Sequence, residues 1–177
     1  MRNLVIAAVA IFALAGFITT SAKALTKAQA YTTAGDFAQA LQSSGQFEME
    51  SSTVALQKTN NEEIRTFAQK MIDDHKAAGQ KLMDTLKQAN LPAPKYAILE
   101  ADRDKINTLT ALTGAPFERK YIEDQINAHR EAISLLQMYS ERGDNAALKQ
   151  LAVNLLPTIK EHLQAAEGLH LNVTAKR

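Results

Sequence analysis

From about Thr32 onward, apolar residues return every three or four positions, the spacing that lines one face of an α-helix. No stretch alternates with a period of two and β-branched residues never cluster, so strands are not expected. A first helix is predicted from about Thr32 to Thr59, with Phe37, Leu41, Ser44, Glu48, Ser51 and Ala55 on one face. Asn60-Asn61 breaks it, and Asn61 before Glu62-Glu63 reads as an N-cap followed by acids in the first turn. The second helix continues to about Ala89 through Ile64, Phe67, Ala68, Met71, His75, Ala78, Leu82 and Leu86, and Pro92 and Pro94 close it. A short third helix, about Ala97 to Leu112, carries Ile98, Ile106, Leu109 and Leu112. Gly114 and Pro116 punctuate the chain before a fourth helix, which runs to about Arg142 through Phe117, Tyr121, Gln125, His129, Ala132, Leu136 and Tyr139. Gly143-Asp144 reads as a C-terminal glycine followed by an N-capping aspartate, and a fifth helix carries Leu148, Leu151, Leu155, Thr158, His162, Ala166 and Leu169. Long amphipathic helices with short connections bury their stripes against one another, which predicts an all-α antiparallel four-helix bundle with one additional short helix.

The first 24 residues stand apart from this pattern. Arg2 supplies a positive start, Leu4 to Ile18 is an apolar and small run, and Ala22-Lys23-Ala24 offers small residues where a signal peptidase inspects them. Residues 1–24 are therefore expected to be a signal peptide and 25–177 a single exported domain, with periplasmic localisation. An uncleaved anchor is the alternative for this segment. No later segment is apolar enough to span a membrane.

Arg2 and Lys23 are the only charges in the first 24 residues, so the formal charge of +1 becomes −1 after cleavage. Acids and bases are interspersed, which leaves no electrostatic footprint for nucleic acid. With no cysteine, an exported chain has neither disulfides nor thiolate ligands and relies on its core. No exposed apolar stripe marks a protein partner, and a homo-oligomer is neither required nor excluded by the pattern.

Polar chemistry on the apolar stripes is what remains to be explained. His75, His129 and His162 fall on the inward faces of three different helices, and Glu48 takes the equivalent place on a fourth. Burying each such group without a partner costs roughly 1–3 kcal/mol. At ~1.5 Å rise per residue, Glu48, His75 and His129 come to lie ~18–21 Å above the first interhelical turn, and His162 ~13 Å above it. Pro157, one turn before His162, cannot donate to the carbonyl of Val153; the resulting disturbance either re-aims His162 or accommodates packing. Neutral imidazoles and a carboxylate suit zinc, copper or iron. The set Glu48, His75, His129 and His162 is thus a candidate site for a single transition-metal ion. The alternative is a hydrogen-bonded network in which these residues, Gln125, Tyr121 and Ser44 satisfy one another. Asp74 falls at the edge of the site, and Asp73 faces solvent. Tyr139 and the methionines 49, 71, 83 and 138 read as core, and His170 as surface.

Asp36-Phe37, Glu48 with Ala55, Phe67-Ala68 with Met71 and Asp74-His75 follow one another in a recognisable order. Phe117 with Arg119, Tyr121, Gln125 and His129 comes next, then Leu156-Pro157 with His162-Leu163 and Ala166. In this series the chain resembles the bacterial envelope family called domain of unknown function 4142, over about Asp36 to Leu169. One departure is Glu118, where aspartate is more usual. The resemblance implies a ferritin-like bundle, export and a role at the cell envelope, and it implies no particular reaction. Ferritin-like di-iron proteins carry Glu-x-x-His pairs on two helices. Here Ile72, Ile126 and Ile159 stand three positions before the histidines, so no di-iron centre is expected.

Three functional readings follow: an exported bundle that binds one metal ion, a non-enzymatic envelope stress or adaptor protein with a metal-free polar network, and a small enzyme activating water or peroxide at the site.

Overall fold

In the computed structural model, residues 31–95 and 98–175 are described, and the expected signal peptide lies outside the described residues. Five helices follow in order: α1 Ala34–Lys58, α2 Glu62–Gln88, α3 Glu100–Ala111, α4 Gly114–Arg142 and α5 Ala146–Ala175. No strand occurs among the described residues. None of the described helices is long and apolar enough to cross a membrane.

Local chemistry sets the helix ends. Thr33 caps α1 by accepting from the amide of Asp36, and Asn61 caps α2 by accepting from the amide of Glu63. The start of α5 departs from the sequence expectation. Asn145, rather than Asp144, takes the amides of Ala147 and Leu148, while Asp144 accepts from the Tyr139 hydroxyl. Gly114, at φ +58°, turns the chain into α4 in the left-handed region that costs glycine least. Pro157 sits inside α5, which continues through it.

Helices α1 and α2 form one antiparallel hairpin and α4 and α5 the other. The square closes through α1 against α4 and α2 against α5. The long connection after α2 returns along the α1/α4 groove: Gln39 donates to the Lys95 carbonyl, the Leu99 amide donates to Ser43 Oγ, and Lys58 donates to the carbonyls of Thr110 and Leu112. This single crossover, with α3 riding in it, lets α2 and α4 run in the same direction and makes the bundle ferritin-like.

The apolar interior is divided. One cluster, around Phe37, Leu82, Leu86, Leu136, Tyr139 and Leu151, fills the end where α1 and α5 begin. A second, around Ile64, Phe67, Met71, Phe117, Tyr121 and Ile122, fills the end where α2 and α4 begin. Between them lies a layer of buried polar side chains.

Candidate metal centre

Each predicted site residue is buried: Glu48 1 %, His75 7 %, His129 0 % and His162 1 % exposed. The structure brings three of them together. His75 from α2, His129 from α4 and His162 from α5 each offer a ring nitrogen, and the three atoms lie within 4.8 Å of one another. Ring centroids are 5.4 to 5.7 Å apart, and the ring planes are steeply inclined to one another.

Hydrogen bonds behind two of the rings decide which nitrogen is free. His129 Nδ1 lies 2.7 Å from the Gln125 carbonyl, one turn back on the same helix. A carbonyl only accepts, so Nδ1 carries the proton and Nε2 keeps its lone pair. His162 Nε2 donates to Asp74 Oδ2 at 2.7 Å, which leaves Nδ1 with the lone pair. Asp74 also accepts from Lys70 at 2.6 Å. Burial alone would raise the Asp74 carboxyl, but its bonds to Lys70 and His162 outweigh that and hold it below the usual carboxylate range. The atoms left over are His129 Nε2, His162 Nδ1 and, on the third ring, His75 Nε2. All three are buried and have no hydrogen-bond partner among the described residues.

The rings are also held neutral. Burial first, then the neighbouring histidines, push His75 down to about 3. Burial likewise pushes His129 down to about 4, against the pull of the Gln125 carbonyl. His162 is lowered by burial despite its bond to Asp74. Three neutral imidazoles this close together could hold a metal ion.

Glu48 is buried in the same layer but stands outside this cluster. Its Oε1 is 3.6 Å from His129 Nδ1, the nitrogen already turned to the Gln125 carbonyl. Neither carboxylate oxygen has a hydrogen-bond partner among the described residues. Burial raises the Glu48 carboxyl well above its ordinary value, and the nearby Gln125 amide only partly offsets this. Its surroundings are polar: Gln125 donates to Ser51, Ser52 shares a 2.8 Å hydrogen bond with Tyr121, and Asp102, Lys105 and Asp124 lie beyond. Helix α1 therefore brings a carboxyl group beside His129, outside the histidine triad.

Two features escaped the sequence reading. Asp74 was placed at the site edge, but its link to Lys70, one turn earlier and exposed, carried no signal. Gly45 of α1 faces the cluster, where a methyl group would sit 3.8 Å from His75 Nδ1. Beside it a cavity of about 30 Å³ lies along the α1/α2 seam, lined by Ser44, Gly45, Met49, His75 and Gly79. A larger groove of about 450 Å³ between α4 and α5 holds Arg130, Glu167 and His170, apart from the triad.

The fold and this layer define a class: an all-α, ferritin-like bundle with three neutral histidines converging at mid-height. A family model described as domain of unknown function (DUF4142) matches residues 19–169, and the chain belongs to that family. Among solved structures it is similar to the crystal structure of a DUF305 fragment from Deinococcus radiodurans. That likeness has a TM-score of 0.68 and 15 % identity over 77 % of this chain and 93 % of that one, and it is a likeness of fold. No curated protein matches the chain.

Proposed function

We propose that this protein binds one transition-metal ion through His75, His129 and His162, as an exported envelope protein whose residues 1–24 direct it to the periplasm. The observation that carries the metal reading is the convergence of three buried ring nitrogens without hydrogen-bond partners among the described residues. A polar network built only to specify packing would pair these atoms with one another or with neighbours. Here His129 and His162 each commit one ring nitrogen to a hydrogen bond, and the other is left buried without a partner among the described residues. Imidazole donors suit zinc, copper and iron. The Asp74–His162 pair is the carboxylate–histidine arrangement that orients a ligand and raises its basicity. Glu48 serves as a carboxyl group behind His129, where it can balance the charge that an ion brings.

Elemental analysis of the mature chain purified without chelators tests the reading. One ion per chain is expected, falling to near zero in His129→Ala. Substoichiometric metal that His129→Ala leaves unchanged would overturn it in favour of the metal-free network. Export is checked separately, by fractionating cells that express the full chain and finding the N-terminus at Leu25.

A further inference from the structure

The three histidines are not held alike. His129 is fixed by a backbone carbonyl of its own helix, and His162 by an aspartate that a lysine holds in turn. Among the described residues no such bond backs the His75 ring, and its Nε2 is buried without a partner. It is also the least buried of the three, and it alone lines the cavity at the α1/α2 seam. That seam is thin where it meets the ring. Gly45 and Ser44 on α1 and Ala78 and Gly79 on α2 present almost no side chain, and a methyl group at Gly79 would meet nothing within 4 Å. The cavity, about 30 Å³, exceeds the ~10–15 Å³ that one water needs and falls far short of the ~300 Å³ of a small-molecule pocket. It suits a water accepting from His75 Nδ1, or the edge of the ring itself when the ring turns.

The cavity also stands in register with the site. Ala132 and Ile159, each one turn from His129 and His162, form its inner wall together with Leu155. It therefore lies beside the layer of histidines, and most of its remaining lining, Ser44, Gly45, Ala78 and Gly79 included, belongs to α1 and α2.

On the metal reading above, we infer that a divalent cation enters and leaves through the Gly45/Gly79 seam, with His75 the exchangeable ligand and His129 and His162 the fixed pair. The ring of His75 turns into the cavity to open the site and turns back to close it.

The test separates rate from affinity. Cobalt(II) loading of the mature chain is followed by its visible absorption, and release is followed after adding EDTA. The variants are Gly45→Ala, Gly45→Leu and Gly79→Leu. Leucine at 45 packs on the ring and pins it; leucine at 79 closes the mouth from the other helix. Both replace a poor helix former with a good one, so folding is supported, and circular dichroism verifies it. Each leucine variant is expected to slow loading and release together by at least tenfold, with Kd within threefold of the unsubstituted chain. Gly45→Ala is expected to fall between. Unchanged rates in both leucine variants overturn the inference, as does a change in Kd without a change in rate. An unsubstituted chain that binds no cobalt overturns the metal reading itself, and this inference with it.

Discussion

Two buried polar regions share the middle of this bundle and are built on opposite principles. In the triad, three rings lie close together, each with one orphaned nitrogen, and two of those rings are backed by an acceptor. Around Glu48, whose Oε1 is 3.6 Å from His129 Nδ1, the orphaned atoms among the described residues are oxygens, both of the Glu48 carboxyl group and Gln125 Oε1. An unpaired buried group can resolve its cost by gaining an ion or by changing its protonation. On the proposed function the triad takes the first course and Glu48 the second.

This contrast can be broken most strongly with acid. In the metal-free protein His75 and His129 titrate near 3 and 4, against about 6.5 in the unfolded chain. The unfolded chain therefore binds protons first, so stability that is full above pH 6.5 drains away below it. The loss is up to ~1.4 kcal/mol per pH unit for each histidine and stops as pH passes the folded values. Glu48 acts with the opposite sign. Its raised carboxyl contributes stability that is complete below about pH 4.5 and lost as pH rises through the folded value. Denaturant melts of metal-free protein from pH 8 to pH 4 should show the histidine slope, and Glu48→Gln should steepen it above about pH 4.5, where the Glu48 contribution opposes it. A flat profile would contradict the burial of neutral rings.

Next in size is the response to metal. Zinc at 100 times its Kd adds ~2.7 kcal/mol, and a domain of this length gains roughly 2–4 °C per kcal/mol. Calorimetry should therefore show Tm rising by about 5–10 °C, reversed by chelator and absent in His129→Ala. The Asp74→Asn exchange asks whether the backing of His162 matters. Such outer hydrogen bonds typically contribute 10–100-fold in affinity, and competition against a chromophoric chelator should show a loss of that order. The smallest effect separates the two regions most cleanly. At pH 7–8, Glu48→Gln removes a carboxyl that burial disfavours in its charged form, so the metal-free protein should melt a few degrees higher while still binding one ion per chain.

The bundle and the trio of histidines were legible in the sequence because both depend on helical periodicity, which survives tertiary packing. His75, His129 and His162 share a level because α4 starts beside the end of α1, and the fall of the apolar stripe already placed them inward. What was not legible depended on contacts between distant segments. Ser43 and Phe47 are buried although a single stripe on α1 would leave them outside, because the returning crossover and α3 cover a second face of that helix. The same double coverage surrounds Glu48 with protein on both sides. Its place behind His129, rather than among the ligand atoms, depends on side-chain direction, which residue spacing does not determine. Asn145 displaced Asp144 as the cap of α5 because the Tyr139 hydroxyl had already engaged the aspartate.

The polar layer that splits the apolar interior also bears on how the chain holds itself together without cysteine. The two apolar clusters lie on either side of that layer. An ion bound at that level would join His75, His129 and His162, 54 and then 33 positions apart along the chain, and so close loops in the unfolded ensemble as a cross-link does. Unlike a disulfide, such a tie would need no oxidant and would come undone when the ion is withdrawn. The mechanical integrity of the molecule would then follow the metal content of its surroundings.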